Sequence, residues 1–130
     1  MNIIEEIQEN AQLQNWPFPK TFEALKTAGV TSYIVHLTQS YHVVFQGSFG
    51  SFKKTELKGY HPLQTSQVFC DVMTKEAIIR HIEGKTNYLE LLEDLSMAGI
   101  SHYQVDMQSR KIRYFNPAET KYHLEIVPVI

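Results

Sequence analysis

Two stretches of the chain carry one pattern of apolar and polar positions, 70 residues apart. The first covers residues 18–45 and the second residues 88–115. Identical residues recur at this offset without a gap: Glu23 and Glu93, Leu25 and Leu95, Ala28-Gly29 and Ala98-Gly99, Tyr33 and Tyr103, Val35 and Val105, Phe45 and Phe115. The repeated pattern predicts that the chain contains two related halves, residues 18–57 and 88–127.

Each copy starts as a helix and continues as a strand. Apolar residues recur every three or four positions through residues 22–28 and 91–98, which is typical of an amphipathic helix. Gly29 and Gly99 follow, where a helix favours a residue with positive φ. After each glycine the apolar period changes to two, which predicts a strand starting near residue 31 and another near residue 101.

Each predicted strand returns through a hairpin. A two-residue turn at Gln39-Ser40 places His36 opposite Val43 on the next strand. In the second copy a turn at Ser109-Arg110 pairs Val105 with Tyr114. The same register puts Asp106 opposite Arg113, so this hairpin is predicted to have one buried and one hydrated face.

The two hairpins differ on one face. This face is predicted to be hydrated in the second hairpin but is largely apolar in the first. With the predicted turn, this face carries Ile34, His36, Tyr41, Val43 and Phe45. The matching positions of the second copy are Gln104, Asp106, Lys111, Arg113 and Phe115. An apolar face of this kind is usually buried against something. Three possibilities remain: the N-terminal helix, a second subunit, or a ligand.

The remaining segments complete the order α, α, β, β, β, α, α, β, β, β. Residues 2–12 form an amphipathic helix, and residues 52–57 form a third strand. An irregular loop covers residues 58–67. Thr74 is predicted to cap a helix that ends at Gly84, and a last strand covers residues 122–126 after a turn at Asn116-Pro117.

The composition limits the classes of protein to which the chain can belong. A chain of 130 residues with 43% hydrophobic residues suits one domain, residues 1–130, that needs neither disulfide nor metal to fold. The net charge of −2 gives no general attraction to nucleic acid or anionic lipid. The single Cys70 forms no internal disulfide, and no secretory signal pattern follows Met1, so a cytoplasmic location is expected. No apolar run is long enough to cross a membrane.

Candidate chemistry is sparse. The six histidines are not at metal-ligand spacings, and no phosphate-binding or nucleophile motif occurs, so neither a metal, a cofactor nor a catalytic residue is predicted. Cys70 and His61 form the one conceivable thiol and base pair. Tyr60 and His61 lie in the long loop, where binding groups often occur. Nucleic acid is not expected as a partner, because the basic pair Lys53-Lys54 stands alone near the first hairpin.

The chain resembles a known family in three of its segments. These are residues 18–33 (FPKTFEALKTAGVTSY), residues 84–107 (GKTNYLELLEDLSMAGISHYQVDM) and the closing IVPV of residues 126–129. They are similar to the uncharacterised YbcV-like family of bacteria and prophages, often labelled phage envelope protein. The resemblance implies a compact α+β domain and no established activity. Residues 40–58 match the family least.

These observations predict an α+β fold made of two related halves, each a helix followed by a three-stranded antiparallel meander, preceded by an N-terminal helix. The expected function is a non-catalytic module that binds a protein or small-molecule ligand, with a homodimer as one arrangement. Its candidate residues are Ile34, His36, Tyr41, Val43, Phe45, Tyr60 and His61. The alternatives are a small enzyme that uses His36, Tyr41, His61 or Cys70, and a prophage-derived structural protein.

Overall fold

The computed structural model describes residues 2–38 and 40–129. These residues form four α-helices and six β-strands in the predicted order, which confirms the α+β fold. The helices are α1 (Ile3–Leu13), α2 (Phe18–Thr27), α3 (Asp71–Ile82) and α4 (Tyr88–Met97). The strands are β1 (Val30–His36), β2 (His42–Gly47), β3 (Gly50–Lys54), β4 (His102–Asp106), β5 (Lys111–Phe115) and β6 (Tyr122–Ile126). Within the described ranges, no helix is both long and apolar enough to cross a membrane.

Both halves contribute to one antiparallel sheet with strand order β3-β2-β1-β4-β5-β6. The halves meet where β1 pairs with β4. In this pair Ile34 lies opposite Gln104, its own counterpart 70 residues later, and Val35 lies opposite Tyr103. An approximate two-fold axis therefore passes through the Ile34–Gln104 pair, and each half places three strands on one side of it.

The helices cover one face of this sheet. Alternate strand residues such as Val35 and Val105 are buried in the same apolar cluster as Phe22 of α2 and Leu92 of α4. Ile4 of α1 joins this cluster, so the N-terminal helix contributes to the helix side. The opposite face of all six strands, here called the open face, has no helix on it among the described residues.

The first hairpin has a different register from the predicted one. Val35 pairs with Val43, and His36 pairs with His42, so five residues, 37–41, connect the strands. Gln39 of the predicted two-residue turn lies outside the described residues. Because side chains alternate between faces, a shift of one residue turns β2 over. The prediction that Tyr41, Val43 and Phe45 share a face with Ile34 and His36 is therefore wrong.

The second hairpin has the predicted faces but a register that differs by two residues. Val105 pairs with Ile112 instead of Tyr114, and four residues, 107–110, form the turn. The first turn is thus one residue longer than the second. The first strands of the two hairpins correspond at an offset of 70 residues. Because the first turn is one residue longer, the second strands correspond at an offset of 69, so Phe45 corresponds to Tyr114. The identity of Phe45 and Phe115 in the gap-free repeat reflects no structural equivalence.

Two element boundaries also differ from prediction. Helix α3 begins at Asp71, three residues before the predicted cap, Thr74. Thr74 is fully buried inside the helix, and its hydroxyl donates to the Cys70 carbonyl oxygen at 2.9 Å. Strand β3 begins at Gly50, because Gly47 and Gly50 pair across a two-residue turn. The strand therefore starts and ends earlier than predicted.

Helix α4 has clear signals at both ends. Asn87 and Glu90 form a capping box at its start, with hydrogen bonds of 2.8 and 2.9 Å. At its end Gly99 has φ +90° and donates to the Ser96 carbonyl oxygen, while Ile100 donates to the Leu95 carbonyl oxygen. These two bonds are the pair that defines a Schellman motif, and Gly99 has the predicted positive φ.

Replacing Gly99 by alanine is expected to destabilise the fold by about 3 kcal/mol. Positive φ alone costs a residue with a Cβ about 1–2 kcal/mol, and the added Cβ meets the Val68 carbonyl oxygen at 2.6 Å. Gly84→Ala is the matched control, since Gly84 has φ +77° but open space around it. Urea unfolding measures the loss in free energy of unfolding for each variant. Equal losses in the two variants would show that residues 67–70 move aside without cost.

Candidate functional site

The open face displays seventeen side chains in three rows that run across the strands. The aromatic row consists of His42, His36, His102, Phe115 and Tyr122. The central row consists of Lys53, Val44, Ile34, Gln104, Arg113 and Leu124. The polar row consists of Ser51, Gln46, Ser32, Asp106, Lys111 and Ile126. Neighbours within a row are direct cross-strand partners, so their side chains are in reach of one another.

The rings of the aromatic row stack on one another. The centroids of His36 and His42 are 4.2 Å apart with an interplanar angle of 14°, and His36 continues to His102 at 5.6 Å. The row extends through His102 and Phe115 at 5.3 Å to Tyr122 at 5.5 Å from Phe115. At 4.2 Å two rings fit only face to face, so their edges point outward. His36 and His42 therefore present ring edges to a ligand, whereas nucleobase platforms present ring faces.

The histidines sit among both apolar and charged neighbours. Burial, followed by the nearby His42 and His102 rings, lowers the pKa of His36, and Lys53 acts in the same direction. The neutral form of His36 is therefore favoured at neutral pH. His102 is held between Ser101, whose Oγ is 2.7 Å from Nδ1, and Glu119, whose Oε1 is 2.7 Å from Nε2.

Charge is unevenly distributed between the open face and the rest of the chain. The chain has 12 basic and 14 acidic residues. The three rows contain Lys53, Lys111 and Arg113 but only Asp106 of the opposite sign. Asp106 lies directly opposite Lys111, which leaves Lys53 and Arg113 as the net charge of the three rows, while the Glu119 carboxylate borders the aromatic row at His102. An acidic protein thus presents a sheet face with positive charge at two of its outer strands.

Of the candidate residues, Ile34 and His36 lie on the open face. Tyr41, Val43 and Phe45 lie in the core under the helices, with 6%, 1% and 0% of their surface exposed. Side chains with so little exposed surface do not contact a binding partner while the chain is folded. In the observed register, the open face is still more apolar in the first half than in the second, but the difference is smaller than the predicted register implies. Ile34, His36, His42 and Val44 stand where the second half has Gln104, Asp106, Lys111 and Arg113.

Tyr60 and His61 lie elsewhere, in a cleft between the long loop and α4. The cleft has a volume of about 310 Å³ and is also lined by Gly59, Leu63, Asn87, Leu89, Glu90, Leu92 and Glu93. His61 Nε2 is 3.5 Å from Glu93 Oε1, but 67% and 48% of the two side chains are exposed. Cys70 is not among the lining residues. The cleft therefore joins a base to a carboxylate and supplies no thiol nucleophile.

A cluster of buried tyrosines on the helix side was not predicted as a unit. The hydroxyl groups of Tyr88 and Tyr103 are 2.8 Å apart, and the Tyr114 hydroxyl donates to Glu125 Oε1 at 2.5 Å. Burial raises the pKa values of Tyr33, Tyr88, Tyr103 and Tyr114. Raised pKa values keep these hydroxyls protonated, which suits a hydrogen-bonded layer within the core. The recurrence of Tyr33 as Tyr103 was the one signal of it in the sequence.

No group of three or more histidine, cysteine or carboxylate side chains that could hold a metal ion occurs in residues 2–38 and 40–129. The three stacked histidines agree with this, because their rings face one another and do not converge on one point. The open face therefore offers ring edges, an apolar centre and cations to a ligand.

Fold and site together define an α+β protein in which two α-α-β-β-β halves share one antiparallel sheet with an open face. The family model described as a protein of unknown function (DUF1398) matches residues 3–126, and the chain belongs to this family. No curated protein matches the chain.

Proposed function

We propose that the protein is a non-catalytic binding module that holds an anionic ligand with an apolar body on its open face. The observation that carries this proposal is the central row. Val44 and Ile34 form an apolar floor; Lys53 lies directly beside Val44, and Arg113 lies beyond Gln104 on the other side. Lys53 and Arg113 are four strand steps apart, about 19 Å at the usual strand spacing.

The neighbouring rows define the sides of this site. The aromatic row borders the floor with the imidazole edges of His36 and His42. The polar row borders it with hydroxyl and amide groups. An anion contacts Lys53 or Arg113 while its apolar body covers Val44 and Ile34, so both properties of the ligand are recognised at once.

Binding is favoured over catalysis by the positions of the reactive groups. The histidine–carboxylate pair in the loop cleft, His61 and Glu93, is largely exposed to water. Catalytic pairs usually gain from burial, which strengthens their interaction and shifts their pKa values. The YbcV-like resemblance and its phage label stay predictions, and the proposed binding site does not depend on them.

The fluorescent probe 8-anilinonaphthalene-1-sulfonate tests this site, because it combines a sulfonate with apolar rings. We expect its fluorescence to rise on binding to the wild-type protein. Ile34→Glu is expected to weaken binding by about tenfold or more, because a carboxylate replaces the centre of the floor. Lys53→Gln and Arg113→Gln should each weaken it by about threefold, as exposed charges contribute less than 1 kcal/mol.

Lys26→Gln is the matched control, because Lys26 is an exposed cation on α2. It removes the same charge from the helix side and should leave the affinity unchanged. Far-ultraviolet circular dichroism verifies that each variant is folded. Wild-type affinity in Ile34→Glu, or an equal loss in Lys26→Gln, would contradict the proposed site.

A further inference from the structure

The strand at one end of the sheet has neither the lysines and proline nor the bulge that often protect a sheet edge. Strand β6 pairs with β5, and no described strand lies on its other side. Its sequence, YHLEI, contains neither proline nor lysine, and its five residues pair with β5 in unbroken register. The opposite edge strand, β3, ends in Lys53 and Lys54. Lysines protect edge strands against pairing with another chain, so the two edges differ in their readiness to pair.

Exposed apolar side chains concentrate at this same edge. Of the thirteen large apolar side chains that are exposed among the described residues, seven belong to β6 and α3. These are Tyr122, Leu124 and Ile126 on the strand and Val72, Met73, Ile79 and Ile82 on the helix. Such a concentration marks an interaction surface more than scattered exposure does.

Helix α3 is fixed beside β6, and part of its apolar surface points away from the rest of the protein. Asp71 at its start lies 2.8 Å from His123 of β6. Arg80 bonds Asp94 of α4 at 2.8 Å, so α4 lies on the Arg80 side of the helix. Ile82 is two residues further, about 200° around the helix, and therefore points away from α4. It is 69% exposed.

We propose that β6 and α3 form the interface of a homodimer in which the β6 strands of two copies pair antiparallel, with Leu124 on the two-fold axis. The sequence of β6 is complementary to itself in this register. On the open face Leu124 meets the partner's Leu124, and Tyr122 meets the partner's Ile126. On the helix side His123 lies opposite the partner's Glu125, and within each copy His123 is also bonded to Asp71 and Glu125 to Tyr114.

Other registers are less favourable. A two-fold axis perpendicular to the sheet pairs residues that point to the same face. Residues on one face of a strand differ by an even number, so the numbers of two paired residues must sum to an even number. Centring the axis on Glu125 places two carboxylates opposite each other, which is destabilising. Centring it on His123 pairs fewer strand residues and leaves Ile126 opposite a residue of the turn. The Leu124 register uses all five residues of β6 and pairs apolar with apolar and histidine with carboxylate.

The mass in solution by light scattering tests whether this dimer exists. The chain has a mass of 15.1 kDa, and we expect wild type to have twice this mass. Leu124→Lys should be a folded monomer, because it places two ammonium groups face to face on the axis. Ser51→Lys, the equivalent change on the edge strand β3, should remain dimeric. A monomeric wild type, or a dimeric Leu124→Lys, would overturn the proposal.

Disulfide cross-linking tests the register. In a Cys70→Ser background, Leu124→Cys should cross-link to its own copy under mild oxidation, since directly opposed residues lie within disulfide reach. Ile126→Cys and Tyr122→Cys should each fail alone but cross-link when the two variants are mixed. Efficient self-cross-linking of Ile126→Cys would refute the register, and species larger than dimers would refute a closed two-fold assembly.

Discussion

Val43→Glu is expected to unfold the protein, whereas Val44→Glu should leave it folded. Val43 is 1% exposed under the helices, and a carboxylate there is buried without a partner, at a cost of several kcal/mol. Val44 points to the open face between Ile34 and Lys53, where a carboxylate stays hydrated. Small domains are stable by about 5–15 kcal/mol, so the first loss takes much or all of that stability.

Circular dichroism and urea unfolding of the two variants provide the measurement. The pair is a strict comparison, because adjacent residues of one strand receive the same substitution. We expect Val44→Glu to lose about 1 kcal/mol or less. If Val43→Glu were folded and Val44→Glu unfolded, β2 would be turned over and the register predicted from sequence would be right.

Arg110→Ala is expected to destabilise the fold by about 3 kcal/mol. The Arg110 guanidinium donates to Glu23 Oε1 at 2.7 Å, to the Val127 carbonyl oxygen at 3.1 Å and to the Pro128 carbonyl oxygen at 2.7 Å. It also lies over the Phe22 ring, 4.6 Å from the centroid. One side chain thus joins α2, the β4–β5 turn and the segment after β6. Its loss leaves a partly buried carboxylate and two carbonyl groups unpaired.

Arg80→Ala is the control for Arg110→Ala. Arg80 bonds Asp94 at a similar distance, 2.8 Å, but half of its side chain is exposed. Exposed pairs contribute about 0–1 kcal/mol, so Arg80→Ala should have a small effect. Thermal unfolding at low and high salt distinguishes the two. Equal losses in both variants would mean that the three bonds of Arg110 stabilise the fold no more than a surface ion pair does.

Local signals in the sequence were sufficient to predict the elements and their order. Helix ends were marked by residues with a specific conformational role, as Gly29 and Gly99 illustrate. The length of the first turn was not marked, because both Val43 and Val44 are apolar and either face of β2 could be the buried one. Pattern alone does not decide between two such registers, and the gap-free identity of Phe45 and Phe115 favoured the wrong one.

The candidate site was only partly predictable for a related reason. Ile34 and His36 were predicted as site residues, since an apolar residue and a histidine alternate with core positions on β1. The rows across the open face arise from the pairing of β1 with β4, which joins residues that are 70 positions apart. His102 and Arg113 become neighbours of the first hairpin only through this pairing, and no local pattern reports it. The exposed edge of β6 likewise follows from strand order.

We propose that the anionic ligand binds to the open face and to no other part of the described protein. Amide chemical shifts of the ¹⁵N-labelled protein, recorded while 8-anilinonaphthalene-1-sulfonate is added, test it most directly. We predict that the largest shifts occur at Ile34, His36, Val44, Gln104 and Arg113. Shifts centred on Tyr60, His61 and Glu93, or spread over α3, would place the ligand in the loop cleft or on the helix and contradict the account.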